Sequence, residues 1–240
     1  MTRGDPDKRE RSRARVALGA VRSHVQPGSF PLLLAAALLL YVLNGLAAET
    51  RSAAILERVG RLGVVGAGLY VLSRNRATLW LGILAAALAS SLELHLWGFG
   101  SRLDHVLQDS LMVGFLLWII IIVLRDVFRP TTAERDAVIG ALCGFVLILT
   151  IFTRVHGLLE ALYPGSYHTD GPPLSELSDT RLVALFQYFS TVTVTTVGFG
   201  DMVPVTPAAR LATGLEAIVG QLYLAVVIAT LVGRVVARQE

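Results

Sequence analysis

The sequence predicts an all-α membrane protein with six transmembrane helices, a short re-entrant helix and an extended stretch of backbone at membrane depth. Three observations carry this. Of 240 residues, 54% are hydrophobic and only 16% charged, whereas soluble domains carry roughly 25% charged residues. The apolar residues fall in blocks, several of which approach the ~20 residues that cross a bilayer as a helix. Before the last block lies an apolar stretch too short to cross, followed by glycines at alternate positions.

The first span is predicted over 30–48, with Pro31 in its first turn, where a missing N–H costs little. The second, over 53–72, carries Glu57, Arg58 and Arg61 in its first half and is cleanly apolar only over 62–72. The third covers 77–97 and the fourth 107–127. The fifth covers 137–153, with an interfacial continuation to residue 162, and the last covers 209–236. A polar, turn-rich loop over 163–180 precedes an apolar helix over 181–194, about 14 residues long and suited to re-entry. Ser178, Asp179 or Thr180 is placed to cap it. This divides the chain into a basic tail (1–28), a four-helix peripheral domain (29–128) and a last unit (129–240).

Basic residues test the topology. With the N-terminus inside and all six helices spanning, fourteen Lys and Arg face the cytoplasm, seven of them in the tail. Five face outward: Arg51, Arg102, Arg154, Arg181 and Arg210. That is the bias expected of a multi-pass plasma-membrane protein with both termini cytoplasmic. The tail, crowded with Arg3, Lys8, Arg9, Arg11, Arg13, Arg15 and Arg22, reads as an anchor on anionic lipid. No recognition motif accompanies it, so nucleic acid is not an expected partner. No small-residue cleavage site follows the first apolar run, which argues against a signal peptide. Cys143, the single cysteine, excludes an intrachain disulfide and a cysteine metal site. No metal-ligand cluster, catalytic triad or phosphate loop stands out, so neither an enzyme nor a cofactor is expected.

The chemistry sits in Thr193-Val194-Thr195-Thr196-Val197-Gly198-Phe199-Gly200-Asp201-Met202-Val203-Pro204. A short apolar helix ends at threonines, and an extended segment follows. Glycine reaches backbone conformations closed to other residues, so Gly198 and Gly200 allow consecutive carbonyls to turn to one side. Non-helical backbone at membrane depth is tolerated only where it lines a cavity or is buried in protein.

The run Thr196-Val197-Gly198-Phe199-Gly200-Asp201, with a short helix before it and a long one after, resembles the filter of the potassium-channel family. The resemblance covers about 134–240; the first four helices match in number and placement only. It implies that the Thr196 hydroxyl and the carbonyls of Thr196, Val197, Gly198 and Phe199 replace the hydration shell of the permeant ion K⁺, with Gly200 completing the filter. Thr195, Tyr188 and Asp201 are the residues expected to support the filter. One motif per chain then requires a homotetramer.

Departures from the family pattern are visible. Phe199 stands where tyrosine is usual, so no phenol braces the filter from behind. Tyr188-Phe189 stand where many members have paired tryptophans. Val192 stands where some place a glutamate, leaving Asp201 without that partner; a hydrogen bond from Tyr188 to Asp201 is the expected substitute. Gly220, about twenty residues after the filter, lies where relatives place a gating hinge, and bending is preferred to close packing as its reason. Glu216, one turn earlier, is an intramembrane acid. Such a group is costly unless paired, so it is expected to face the pore helix with a hydrogen-bond partner rather than sit solvated in the cavity.

Voltage sensing requires charges in series along the fourth helix, each worth about 2.3 kcal/mol per 100 mV. Here Asp109 and Arg125 lie at its ends with none between, so voltage dependence is expected to be weak or absent. The brief link over 128–136, broken by Pro130, suggests that each peripheral domain packs on its own pore unit; a swapped arrangement is the alternative. Glu93, His95, His156 and His168 could form an external pH sensor, but ordinary solvated or interfacial histidines are preferred. The chain stops soon after the last helix, so ligand-sensing regulation would need another protein. A weakly selective cation channel and a channel-derived potassium transporter are the rival readings. The intact second glycine opposes the first, and the single pore unit opposes the second.

Overall fold

The computed structural model describes residues 29–47, 53–72, 79–80, 82–83, 102–129, 132 and 134–236. The elements run α1 (Ser29–Ala47), α2 (Ala53–Leu72), α3 (Arg102–Val127), α4 (Glu134–Leu162), β1 (Tyr167–Thr169), a 3₁₀ turn (Leu174–Glu176), α5 (Asp179–Val194), β2 (Met202–Pro204) and α6 (Pro207–Val236). The described residues are mostly helical, and among them three helices are long and apolar enough to cross a membrane: Val106–Val127, Arg135–Leu162 and Pro207–Thr230. Two shorter apolar helices cover Phe30–Leu46 and Val59–Val71. Apart from 79–80 and 82–83, the span expected over 77–97, with Glu93 and His95 in it, lies outside the described residues, as does the basic tail.

Helix α4 runs without a break to Leu162, so the continuation expected beyond residue 153 is helical. Arg154, counted among the outward-facing basic residues, lies inside α4 and is 6% exposed. Its Nη1 lies 3.4 Å from Asp109 Oδ1 on α3. The opposed charge on the neighbouring helix offsets the cost of burying the guanidinium.

Packing is sequential, α1 against α2 and α3 against α4, and α1 also rests on α4 and α5 of its own chain. The main apolar cluster includes Leu33 and Leu40 of α1, Val64 and Val71 of α2, Ile119 and Val123 of α3, and Leu147 of α4. A second cluster joins Tyr167, Leu174, Phe186, Phe189, Met202 and Ala209. It fills the space between the loop, α5 and the start of α6.

The loop is more ordered than its turn-rich composition predicts. β1 and β2 pair antiparallel, with His168 opposite Val203 and Thr169 opposite Met202. Val205 N donates to Ser166 O at 2.8 Å, and Asp170 N donates to Asp201 O at 3.1 Å. The segment before α5 is thereby tied to the segment after the filter motif. A three-residue strand is too short to show the alternation by which strands are read in sequence. Ser178 occupies the N-cap position of α5, but its side chain makes no capping hydrogen bond.

Candidate functional site

Helix α5 ends at Val194, and the chain leaves it through Thr195, whose hydroxyl donates to Thr191 O at 2.6 Å. Positive φ then recurs at every second residue: +60° at Thr196, +54° at Gly198 and +80° at Gly200. The glycines were expected to permit this. That Thr196 does it too was not, because a β-branched residue at positive φ is an outlier costing on the order of 1–3 kcal/mol. Hydrogen bonds from the following amides hold it there. Val197 N and Gly198 N both donate to Val192 O, at 2.9 and 3.1 Å, and Thr196 N donates to Thr193 O at 3.0 Å.

With amides drawn back to the helix end, the carbonyls are left over. Among the described residues, none of the carbonyls at 196–200 accepts a hydrogen bond, and the Thr196 hydroxyl makes none. Residues 195–201 are exposed, Phe199 at 69%. A row of unpaired carbonyl oxygens on an extended segment of alternating backbone sign has the chemistry to ligate a dehydrated cation.

The flank is fixed by α5. Tyr188 Oη donates to Asp201 Oδ2 at 2.7 Å, the hydrogen bond expected from the sequence. That bond, more than burial, raises the Tyr188 phenol above its ordinary pKa. The Phe199 ring lies parallel to Tyr188, with centroids 6.4 Å apart and an interplanar angle of 5°.

Behind α5 lies a buried polar group that the sequence reading assembled only in part. Glu216 of α6 is 0% exposed. It faces α5, where Ser190 is hydrogen-bonded to Glu216 Oε1. Its other oxygen lies 2.7 Å from His156 Nε2. His156 Nδ1 is 2.6 Å from Tyr167 Oη. The expectation of a solvated or interfacial His156 is therefore corrected: it is 0% exposed, among Phe152, Phe186 and Phe189. The missed signal was the acid itself. A carboxyl inside an apolar helix asks for donors, and His156 and Ser190 are polar residues in otherwise apolar runs of α4 and α5. His168, by contrast, is exposed on β1.

Gly220 lies in an unbroken helix. A Cβ built there would stand 2.9 Å from Val194 Cγ1 and 3.0 Å from Val194 O. Close approach of α6 to the end of α5 is thus a packing reason for the glycine.

A second polar link was not foreseen. Asn44 Nδ2 of α1 donates to Gln187 Oε1 at 2.9 Å, and Gln187 Nε2 donates to Tyr41 O at 2.8 Å. Tyr41 Oη and Thr191 Oγ1 are 2.9 Å apart. The first helix is therefore bonded side chain to side chain to the helix that carries the filter motif.

Residues 178–237, which hold α5, the filter motif and α6, match the family model described as an ion channel. This segment is an ion channel domain, and the protein that carries it has helices capable of spanning a membrane. No curated protein and no solved structure matches the chain significantly.

Proposed function

We propose that the chain is one subunit of a homotetrameric K⁺-selective channel of the plasma membrane, conducting passively through Thr196, Val197, Gly198, Phe199 and Gly200. The observation that carries the reading is the row of carbonyls at 196–200 that accept no hydrogen bond on a strand of alternating backbone sign. Four such strands around one axis supply rings of oxygen in place of a hydration shell. One strand per chain demands four chains. The apolar face of α6, with Leu211, Leu215, Ile218 and Leu222 each about half or more exposed, is where neighbouring subunits and the inner cavity would lie.

In this reading six helices cross the membrane with both termini inside, and the basic tail lies on anionic lipid. Asp201, Tyr188 and Thr195 support the filter, and Gly220 bends during gating in addition to packing. No cofactor or catalytic step is involved, and voltage dependence is weak or absent.

The test is reconstitution of the purified protein in vesicles with opposed K⁺ and Na⁺ gradients. The expected reversal potential follows the K⁺ gradient. A potential between the two ionic limits would assign a weakly selective cation channel instead. Absence of any K⁺-dependent conductance would overturn the reading.

A further inference from the structure

Four elements meet at one buried polar group: β1 through Tyr167, α4 through His156, α6 through Glu216 and α5 through Ser190. His156, Ser190 and Glu216 are 0% exposed and Tyr167 is 4% exposed. Their protons can be counted. Ser190 has one proton and two acceptors in reach, Glu216 and Leu149 O at 3.2 Å. Burial pushes the Tyr167 phenol up, so it enters as a donor.

Three proton arrangements can be compared. If His156 bears both N–H groups beside a bare Glu216 carboxylate, His156 Nδ1–H points at Tyr167. The Tyr167 O–H then has no acceptor among the described residues and faces Phe186 and Phe189. If His156 is neutral and Glu216 a carboxylate, a net charge is left inside the apolar pore domain. In the third arrangement every proton meets an acceptor. Tyr167 O–H donates to His156 Nδ1, His156 Nε2–H to Glu216 Oε2, Glu216 Oε1–H to Ser190 Oγ, and Ser190 O–H to Leu149 O.

We propose that Tyr167, His156, Glu216 and Ser190 form this one-way, uncharged hydrogen-bond relay, and that Glu216 within it is a positioning residue for the filter. The proposal rests on the reading of residues 196–200 as that filter. Ser190 lies two residues before Val192, whose carbonyl anchors the amides of Val197 and Gly198. One turn further along both helices, Gly220 meets Val194. Inner helix and pore helix are therefore fastened at two successive turns, a polar tie at Glu216–Ser190 and a close contact at Gly220–Val194. Beyond Asp179 in its first turn, α5 has no acidic residue, so the carboxyl that steadies it comes from α6.

Glu216→Gln separates the relay from an ion pair. A glutamine carbonyl accepts from His156, and its amide donates to Ser190, so the relay survives without a charge. In the full-length protein in vesicles, Glu216→Gln and Ser190→Thr should keep the K⁺ over Na⁺ preference within about twofold of the original. Glu216→Leu and Ser190→Ala should lower it by about tenfold, the scale of losing one buried hydrogen bond. Infrared spectra should show the C=O stretch of a protonated carboxyl that disappears in Glu216→Gln. A Glu216→Gln protein that behaves as Glu216→Leu does, or unaltered infrared spectra, would overturn the relay in favour of an ion pair. Original behaviour in both Glu216→Leu and Ser190→Ala would overturn the positioning role. If Glu216→Leu fails to assemble, Ser190→Ala and the infrared band still decide. If the unmodified protein carries no K⁺ current, the filter reading fails while the band still answers for the relay.

Discussion

The hydroxyl of Tyr188 donates to Asp201 Oδ2 at 2.7 Å, bridging α5 to the residue that follows the 196–200 segment. The same ring lies parallel to Phe199, so one side chain touches two positions of the segment beyond α5. In Tyr188→Phe the stacking surface remains and the hydrogen bond is lost. The expected outcome is unchanged ion preference with faster decay of current during sustained conduction, measured in single-channel or vesicle-patch recordings. Identical decay would show that Asp201 needs no anchor from Tyr188.

Gly220 gives opposite predictions for its two roles. As a plain interior helix position, glycine to alanine stabilises by about 1 kcal/mol. Here the added methyl would meet Val194 Cγ1 at 2.9 Å and its carbonyl oxygen at 3.0 Å. Overpacking against backbone costs about 1–3 kcal/mol, so Gly220→Ala is expected to lower the midpoint of thermal unfolding in detergent. A raised midpoint would leave only the hinge as the reason for the glycine.

The Asn44–Gln187 hydrogen bond predicts coupling between the peripheral domain and the pore. Asn44→Leu strands Gln187 Oε1 in a buried site, a loss of about 1–3 kcal/mol, whereas removing both partners is far less costly. Asn44→Leu should therefore destabilise more than the double change Asn44→Leu/Gln187→Leu. The check is a double-mutant cycle on thermal stability. Additive effects would mean that the two helices merely touch.

Helix α3 carries no charge between Asp109 and Arg125. Steady-state conductance is expected to vary little between −100 and +100 mV, a range chosen because one gating charge contributes about 2.3 kcal/mol per 100 mV. Gating currents of the size seen with charge-bearing fourth helices would contradict this.

The alternating backbone at Gly198 and Gly200 was legible because its requirement is local. Positive φ selects glycine, and the spacing of Gly198 and Gly200 is written in the chain. The hydrogen bond from Tyr188 to Asp201 could also be expected, since it joins residues close in sequence around one helix end. Long helices followed from apolar length, although Arg154 misled, because the partner that permits its burial, Asp109, belongs to another helix. His156 misled for the same reason: its exposure depends on what surrounds it, and Tyr167, Glu216 and Ser190 come from three other elements. Thr196 at positive φ runs against its residue type, and the helix-end hydrogen bonds from 196–198 back to Thr193 and Val192 hold it there against that single-residue preference. The β1–β2 pairing was invisible because three residues carry no period.

That pairing has a consequence for how the protein could be re-engineered. Tyr167 and Pro204 face each other across the two strands, so the chain enters and leaves the region of α5 and the 195–201 segment at one place. The region is a cassette with adjoining ends. It could be exchanged between related pores as a single piece, with Ser166 and Val205 as the seam, leaving the long helices on either side uncut.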